Sequence, residues 1–262
     1  MTPPSRSRAP KPVALVRRAL GSGPPLVLVH GTAADTTAFR RLEPLLMPHF
    51  TVVAVERRGR RGSGDTEEYS LEAEFADLAA VLETLDEPIV FGHSFGANVA
   101  LGAALDGAVI GALVLYEPGR RRDLRTEVRR EVAALVAGGD RTAALRLALR
   151  EFSEFPEEWL DELLETAPWQ ERLGYAHTIA RELEAYDAYD YGDISRLDIP
   201  TLFLVGERSP ETDRNYAHEL AARLPRARVA VLAGEGHDAT MTAPDLVARE
   251  IMDFAFSVKE PR

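Results

Sequence analysis

Short, continuously apolar runs alternate with segments of helical periodicity along most of the chain. The runs Val13–Arg17, Leu26–His30, Thr51–Glu56, Pro88–Phe91, Ala112–Glu117, Thr201–Val205 and Val229–Leu232 read as strands. Several are apolar at consecutive positions (LVLV, TVVAV, ALVLY, TLFLV), the pattern of strands buried on both faces. Between them, apolar residues recur at helical spacing over Thr36–Leu46, Ser70–Leu85, Ser94–Leu105, Asp213–Leu224 and Ala243–Phe256. This alternation predicts an α/β fold, a mostly parallel doubly wound sheet with helices on both faces.

The alternation breaks once. From about Arg120 to Leu197 no strand pattern occurs, only four helix-like stretches at Arg122–Ala137, Arg141–Phe152, Glu157–Glu165 and Gln170–Tyr186. Helices that cover a sheet come about one per strand, so four in succession predict an inserted helical lid. The expected organisation is a tail over 1–11, a core over 12–119 and 198–262, and a lid over 120–197. The Pro-, Ser- and Arg-rich start, Met1–Lys11, lacks the apolar stretch of a secretory signal and reads as frayed.

Composition narrows the classes. Of 262 residues, 45% are hydrophobic, enough for one large core. No apolar run approaches the length of a membrane span. Cysteine is absent, which excludes disulfides and thiolate metal sites and fits a cytoplasmic setting. The net charge of −11 argues against nucleic acid as a partner.

The sharpest chemical signal is Gly92-His93-Ser94-Phe95-Gly96, a G-x-S-x-G that follows an apolar strand and opens an apolar helix. In that context the motif marks a nucleophile elbow, where a tight turn lifts a serine hydroxyl above the sheet edge. The following helix start aims N–H groups and a positive dipole at any developing anion. A serine needs a base within hydrogen-bond reach. Among six histidines, His237 is the best placed, in the loop Gly234-Glu235-Gly236-His237-Asp238 between the last strand and the final helix. His30 closes a strand beside Gly31 and reads as structural. His93 is expected to point away from the serine hydroxyl, and His49 and His218 sit in surface surroundings.

Together these residues resemble the α/β-hydrolase superfamily. The resemblance covers nearly the whole chain: His30-Gly31, Arg58-Gly59 with Gly62-Ser63, the elbow at Ser94, and Gly236-His237. It implies the α/β-hydrolase fold and an oxyanion hole formed by the backbone N–H groups of Thr32 and Phe95. It also implies a Gly-x-x-Asp acid after the penultimate strand, and here the chain departs. That loop reads Gly206-Glu207-Arg208-Ser209-Pro210, with serine in the acid's place. Three arrangements stay open. The acid is Glu117, closing the strand Val114-Leu115-Tyr116-Glu117, or Glu207, or no acid is present. Glu117 is preferred, because a carboxylate ending an apolar strand needs a partner and an imidazolium would be one. The order Ser94, Glu117, His237 is similar to that of fungal zearalenone lactone hydrolases, and the Tyr-Glu-Pro strand end resembles uncharacterised actinobacterial hydrolases.

The resulting expectation is a serine hydrolase that cleaves a carboxylic ester or lactone through an acyl-enzyme on Ser94, with no metal and no cofactor. A carbon–carbon or thioester hydrolase on the same triad, or a non-catalytic small-molecule receptor, are the alternatives. The substrate is expected to be small and largely apolar, chosen by lid residues: Trp169, His177 and Trp159 are the pocket candidates, with Phe152, Phe155, Tyr175 and Tyr186 as further aromatic surface. The basic run Arg120–Arg122 reads as a solvated helix start.

Overall fold

The computed structural model describes residues 11–119, 126–152, 157–164 and 166–259. Phe155, the run Arg120–Arg122 and the tail before Lys11 lie outside the described residues, as does the side chain of Phe152. Seven strands form one sheet: β1 (Arg17–Gly21), β2 (Pro25–Val29), β3 (Thr51–Val55), β4 (Ile89–His93), β5 (Ala112–Tyr116), β6 (Thr201–Gly206) and β7 (Ala227–Leu232). Their spatial order is β1-β3-β2-β4-β5-β6-β7. Only β1 runs antiparallel, against β3, and the other pairings are parallel. The expected doubly wound, mostly parallel sheet is therefore present.

Consecutive apolar residues split between two cores, which is why the runs do not alternate with polar residues. In β2, Val27 and Val29 face one core while Leu26 and Leu28 face the other. The first core is closed by α2 (Leu71–Leu82), α3 (Phe95–Leu105) and α9 (Glu211–Arg223), and the second by α1 (Glu43–Leu46), α10 (Ala239–Thr242) and α11 (Pro244–Lys259).

Three elements depart most from the sequence reading. The first strand lies at Arg17–Gly21, beyond the apolar run Val13–Arg17. All five of its residues are exposed, because an edge strand is held by backbone pairing rather than burial. The apolar run precedes it as extended chain, with the Val13 N–H on Asp77 Oδ1 at 2.7 Å and Leu15 against the first core. The segment Thr36–Leu46 is not one helix. It divides into a 3-10 turn, Thr36–Phe39, capped by Asp35, and the short α1. Pro44 stands at the start of α1, where a missing N–H is tolerated but a longer preceding helix is not. The stretch Gln170–Tyr186 likewise divides, at Tyr175.

Between β5 and β6 lies an insertion whose described residues form the helices α4 (Thr126–Ala137), α5 (Arg141–Phe152), α6 (Glu157–Leu164), α7 (Ala167–Gly174) and α8 (His177–Ala188). It has its own small core of Val132, Leu145, Leu149, Leu160, Trp169 and Ile179, closed below by Ala33 of the sheet domain. Buried polar contacts fasten it to the sheet. Glu182 of α8 accepts from Arg57 Nη2 at 2.9 Å and from Arg60 Nη1, and the Tyr175 hydroxyl donates to Asp35 Oδ2 at 2.8 Å. At the rim, Arg181 and His177 both meet Asp65.

The strand order fixes where a site can form. From β2 the chain moves outward to β3 and then returns to the other side of β2 as β4. Loops after β2 and β4 consequently diverge at their carboxyl ends and leave a crevice, the usual ligand position in such sheets.

Candidate active site

Ser94 stands in that crevice at the turn from β4 into α3, with φ 53° and ψ −122°. This is a left-handed conformation unfavourable for a residue with a Cβ. The turn is held from outside: the Ser94 N–H donates to Tyr116 O at 2.9 Å. Its two glycines are required by contact. A Cβ on Gly96 would collide with the carbonyls of Val29 and His30, and one on Gly92 would lie 2.5 Å from Gly96 O. Gly31, after β2, lies against the serine itself, since a Cβ there would be 3.1 Å from Ser94 Cβ. Among the described residues, five other than glycine have positive φ, and three of these are Ser94, Ala33 and Glu117. Strain of this kind concentrates where a site is held in shape by its surroundings.

Glu117, the residue after β5, turns its carboxylate into the sheet end. Oε2 meets His237 Nδ1 at 2.6 Å, while Oε1 accepts from the Gly206 N–H at 2.7 Å and from the Ser209 hydroxyl at 2.5 Å. Although burial raises its pKa, these donors and the imidazole outweigh that effect and hold it below the ordinary glutamic acid value. Ser209, which stands in the acid's usual loop, thus donates to the carboxylate instead of supplying it. The other proposed acid, Glu207, is engaged elsewhere: its Oε2 accepts from the Gly234 N–H at 2.7 Å.

With Nδ1 bonded to the carboxylate, His237 keeps Nε2 as its basic nitrogen. The loop that carries it is clamped from β5. The Tyr116 hydroxyl donates to Gly236 O and accepts from the Ala239 N–H at 3.2 Å. His93 turns toward this loop. Its Nε2–H donates to His237 O at 2.9 Å, and its ring lies 4.7 Å from the His237 ring. Burial and the neighbouring imidazole push its pKa down to about 3, so it acts as a neutral strut. His30 has the structural position its sequence context suggested. The Arg57 N–H can only donate, so His30 Nε2 accepts at 3.2 Å and Nδ1–H donates to Gly31 O at 2.9 Å. Burial holds this imidazole well below its usual pKa.

Sequence reasoning missed Arg57. Its guanidinium is buried over the Phe95 ring at 4.4 Å and donates to Gly31 O at 3.1 Å and to Glu74 Oε1 at 2.7 Å. It therefore touches the loops on both sides of the serine and also Glu182 of the insertion. No short motif surrounds it. The only available signal was a run of arginines, Arg57, Arg58, Arg60 and Arg61, closing an apolar strand.

A cavity of about 100 Å³ opens beside Ser94 and His237. Its wall combines Gly31, Thr32, Ala33, Ala34 and Ala38 with Leu149, Leu163 and Arg172 of the insertion and Met241 near the histidine loop. None of the three pocket candidates lines it. Trp169 is 1% exposed inside the insertion's own core, where α7 needs a bulky apolar anchor. Trp159 lies on the outer side of α6, 39% exposed, and His177 is drawn to the rim by Asp65. Tyr175 and Tyr186 also serve to dock the insertion, through Asp35 and Gly119 O. The helical period set which residues face inward, but not which inward face meets the cavity.

Residues 26–250 match the alpha/beta hydrolase family. The chain belongs to that family. Among solved structures, an α/β hydrolase from Sphaerobacter thermophilus superposes with a TM-score of 0.80 at 32% identity, over 92% of this chain and 96% of that one. Esterase YbfF of Escherichia coli is 25% identical over 248 residues, which cover 87% of this chain and 91% of the esterase. A pimeloyl-[acyl-carrier protein] methyl ester esterase of Xanthomonas axonopodis is 28% identical over 257 residues, covering 91% and 98%. As in other α/β hydrolases, the G-x-S-x-G turn here lies at the switch point of the sheet. No described helix is long and apolar enough to cross a membrane.

Proposed function

We propose that this protein hydrolyses a carboxylic ester or lactone through an acyl-enzyme on Ser94, with the helical insertion as its lid. The observation that carries the reading is the bond between His237 Nδ1 and Glu117 Oε2 at 2.6 Å, beside a strained serine on the same cavity. Esterase names among the relatives of comparable length support ester bonds as the target.

The chemistry follows the triad logic. Nε2 of His237 takes the Ser94 proton as Oγ bonds to the ester carbonyl carbon. The carbonyl oxygen becomes an oxyanion, received by the backbone N–H groups of Phe95 and Thr32. Phe95 opens α3, so its N–H has no acceptor within the helix. Glu117 holds the imidazole in the tautomer that presents Nε2 and stabilises the imidazolium. On collapse the bond to the leaving oxygen breaks, and His237 returns the proton to give an alcohol. Water then attacks the acyl-enzyme, loses its proton to His237, and releases the acid with Ser94 restored. The compact cavity, whose wall mixes alanine, leucine and methionine with polar and charged side chains, suits a small substrate held by a few polar contacts.

A fluorophosphonate probe tests the reading directly. Intact-mass measurement should show one adduct per chain, mapped by digestion to Ser94 and absent from Ser94→Ala. A folded wild-type protein that stays unlabelled would be incompatible with a serine acyl-enzyme.

A further inference from the structure

We propose that Arg172 is an anion-binding residue of this cavity, and that the substrate is an ester or lactone carrying a free carboxylate. The substrate half of this inference rests on the hydrolase reading; the anion site does not.

Arg172 lies on α7, is 9% exposed, and lines the cavity that Ser94 and His237 share. Its Nε is buried without a partner, and among the described residues its guanidinium makes no hydrogen bond or ion pair. The other buried guanidiniums are matched: Arg57 by Glu74 and Glu182, Arg58 by Asp77, and Arg60 by Glu182. Asp35 is near enough to feel the charge of Arg172, but its oxygens are taken by Thr37, Tyr175 and Arg61. An unmatched guanidinium is unexpected in a chain with 42 acidic residues and 31 basic ones. Burying it without a counter-ion opposes folding.

A second polar group on the same wall is also unpartnered: the Thr32 hydroxyl oxygen is buried with no hydrogen bond. The remaining charged or titratable groups on the wall are Arg40, Asp238, His93 and His237. A ligand carboxylate would satisfy the planar fork of Arg172 with two parallel hydrogen bonds, a geometry arginine offers and lysine does not. The small volume calls for a compact molecule, so half-esters of short dicarboxylic acids are the fitting probes.

The test compares monomethyl glutarate with dimethyl glutarate. In the wild type kcat/KM should favour the half-ester. In Arg172→Gln the ratio of the two should fall roughly 30- to 100-fold, chiefly through KM, as loss of a charge-assisted pair implies. Arg172→Lys should recover part of that ratio. The Tm of Arg172→Gln should equal or exceed the wild-type value, because an unmatched buried charge has been removed. Calorimetry on Ser94→Ala, which cannot turn over, should show binding of monomethyl glutarate that the added Arg172→Gln abolishes. An unchanged ratio, or a lower Tm with equal losses on both esters, would make Arg172 structural and overturn the proposal. Absent probe labelling at Ser94 would instead overturn the hydrolase reading, while the calorimetry would still decide the anion site.

Discussion

Glu117→Gln is expected to lower kcat on an activated ester by about 10⁴-fold with KM little changed, by the usual behaviour of a triad carboxylate. The amide keeps the shape of the side chain but removes its charge. It can no longer stabilise the imidazolium, and it can present an NH₂ group where His237 Nδ1–H requires an acceptor. Two companion variants make the prediction specific. Ser209→Ala deletes the hydroxyl that donates to Oε1, and loss of one hydrogen bond to a charged group should reduce kcat by roughly tenfold. Glu207→Gln touches only the Gly234 N–H contact and should retain most activity. Steady-state rates with a p-nitrophenyl ester, and circular dichroism to confirm folding, provide the measurement. Near-full activity in Glu117→Gln would remove that residue from the mechanism.

The second large effect concerns stability. Glu182→Leu should destabilise the protein by about 3–5 kcal/mol, because Arg57 and Arg60 would be left as buried cations without their common carboxylate. For a domain of this size that is a fall of ~10 °C in Tm. The same pair of guanidiniums outweighs burial and holds the Glu182 carboxyl at about 2. A carboxyl with a depressed folded-state pKa stabilises the fold above its unfolded value, and the contribution fades as pH falls toward the folded one. The window here runs from about 4.5 down to about 2, with a total near 3 kcal/mol. Asp35, also held at about 2, acts in the same direction, whereas Glu56 and Asp77, both raised by burial, act oppositely. Urea midpoints at pH 7 and pH 3 should therefore differ less in Glu182→Leu than in the wild type. Equal acid sensitivity in the two proteins would show that Glu182 is not the group responsible. Since Arg57 also touches Gly31 O and the Phe95 ring, residual activity in the variant reports how far the insertion holds the loops beside Ser94 in place.

Much of the architecture is written in local pattern. Continuous apolar runs identify doubly covered strands because both faces of a parallel sheet are buried, and six of the seven strands were placed to within a few residues. The edge strand β1 escaped because backbone pairing holds it and its exposed residues carry no burial pattern. The elbow was legible for a similar reason. Its glycines answer contacts with nearby backbone, so the requirement is stamped on five consecutive residues. His237 was legible from its glycine-flanked loop and its place between the last strand and the final helix.

What local pattern could not carry is the meeting of side chains far apart in the chain. Glu117 and His237 are 120 residues apart, and only folding places the Glu117 carboxylate on that imidazole and the Glu207 carboxylate on the Gly234 N–H. The cavity wall lies beyond local pattern for the same reason. Helical periodicity names an inward face, but tertiary packing buried Trp169 within the insertion and left Arg172 at the cavity. Ser94 and its elbow are thus products of the sequence itself, because close backbone contact dictates them locally. The carboxylate on His237 and the unpartnered arginine belong to the tertiary structure, because a charge acquires its role only from the groups that folding brings, or fails to bring, within a few ångströms.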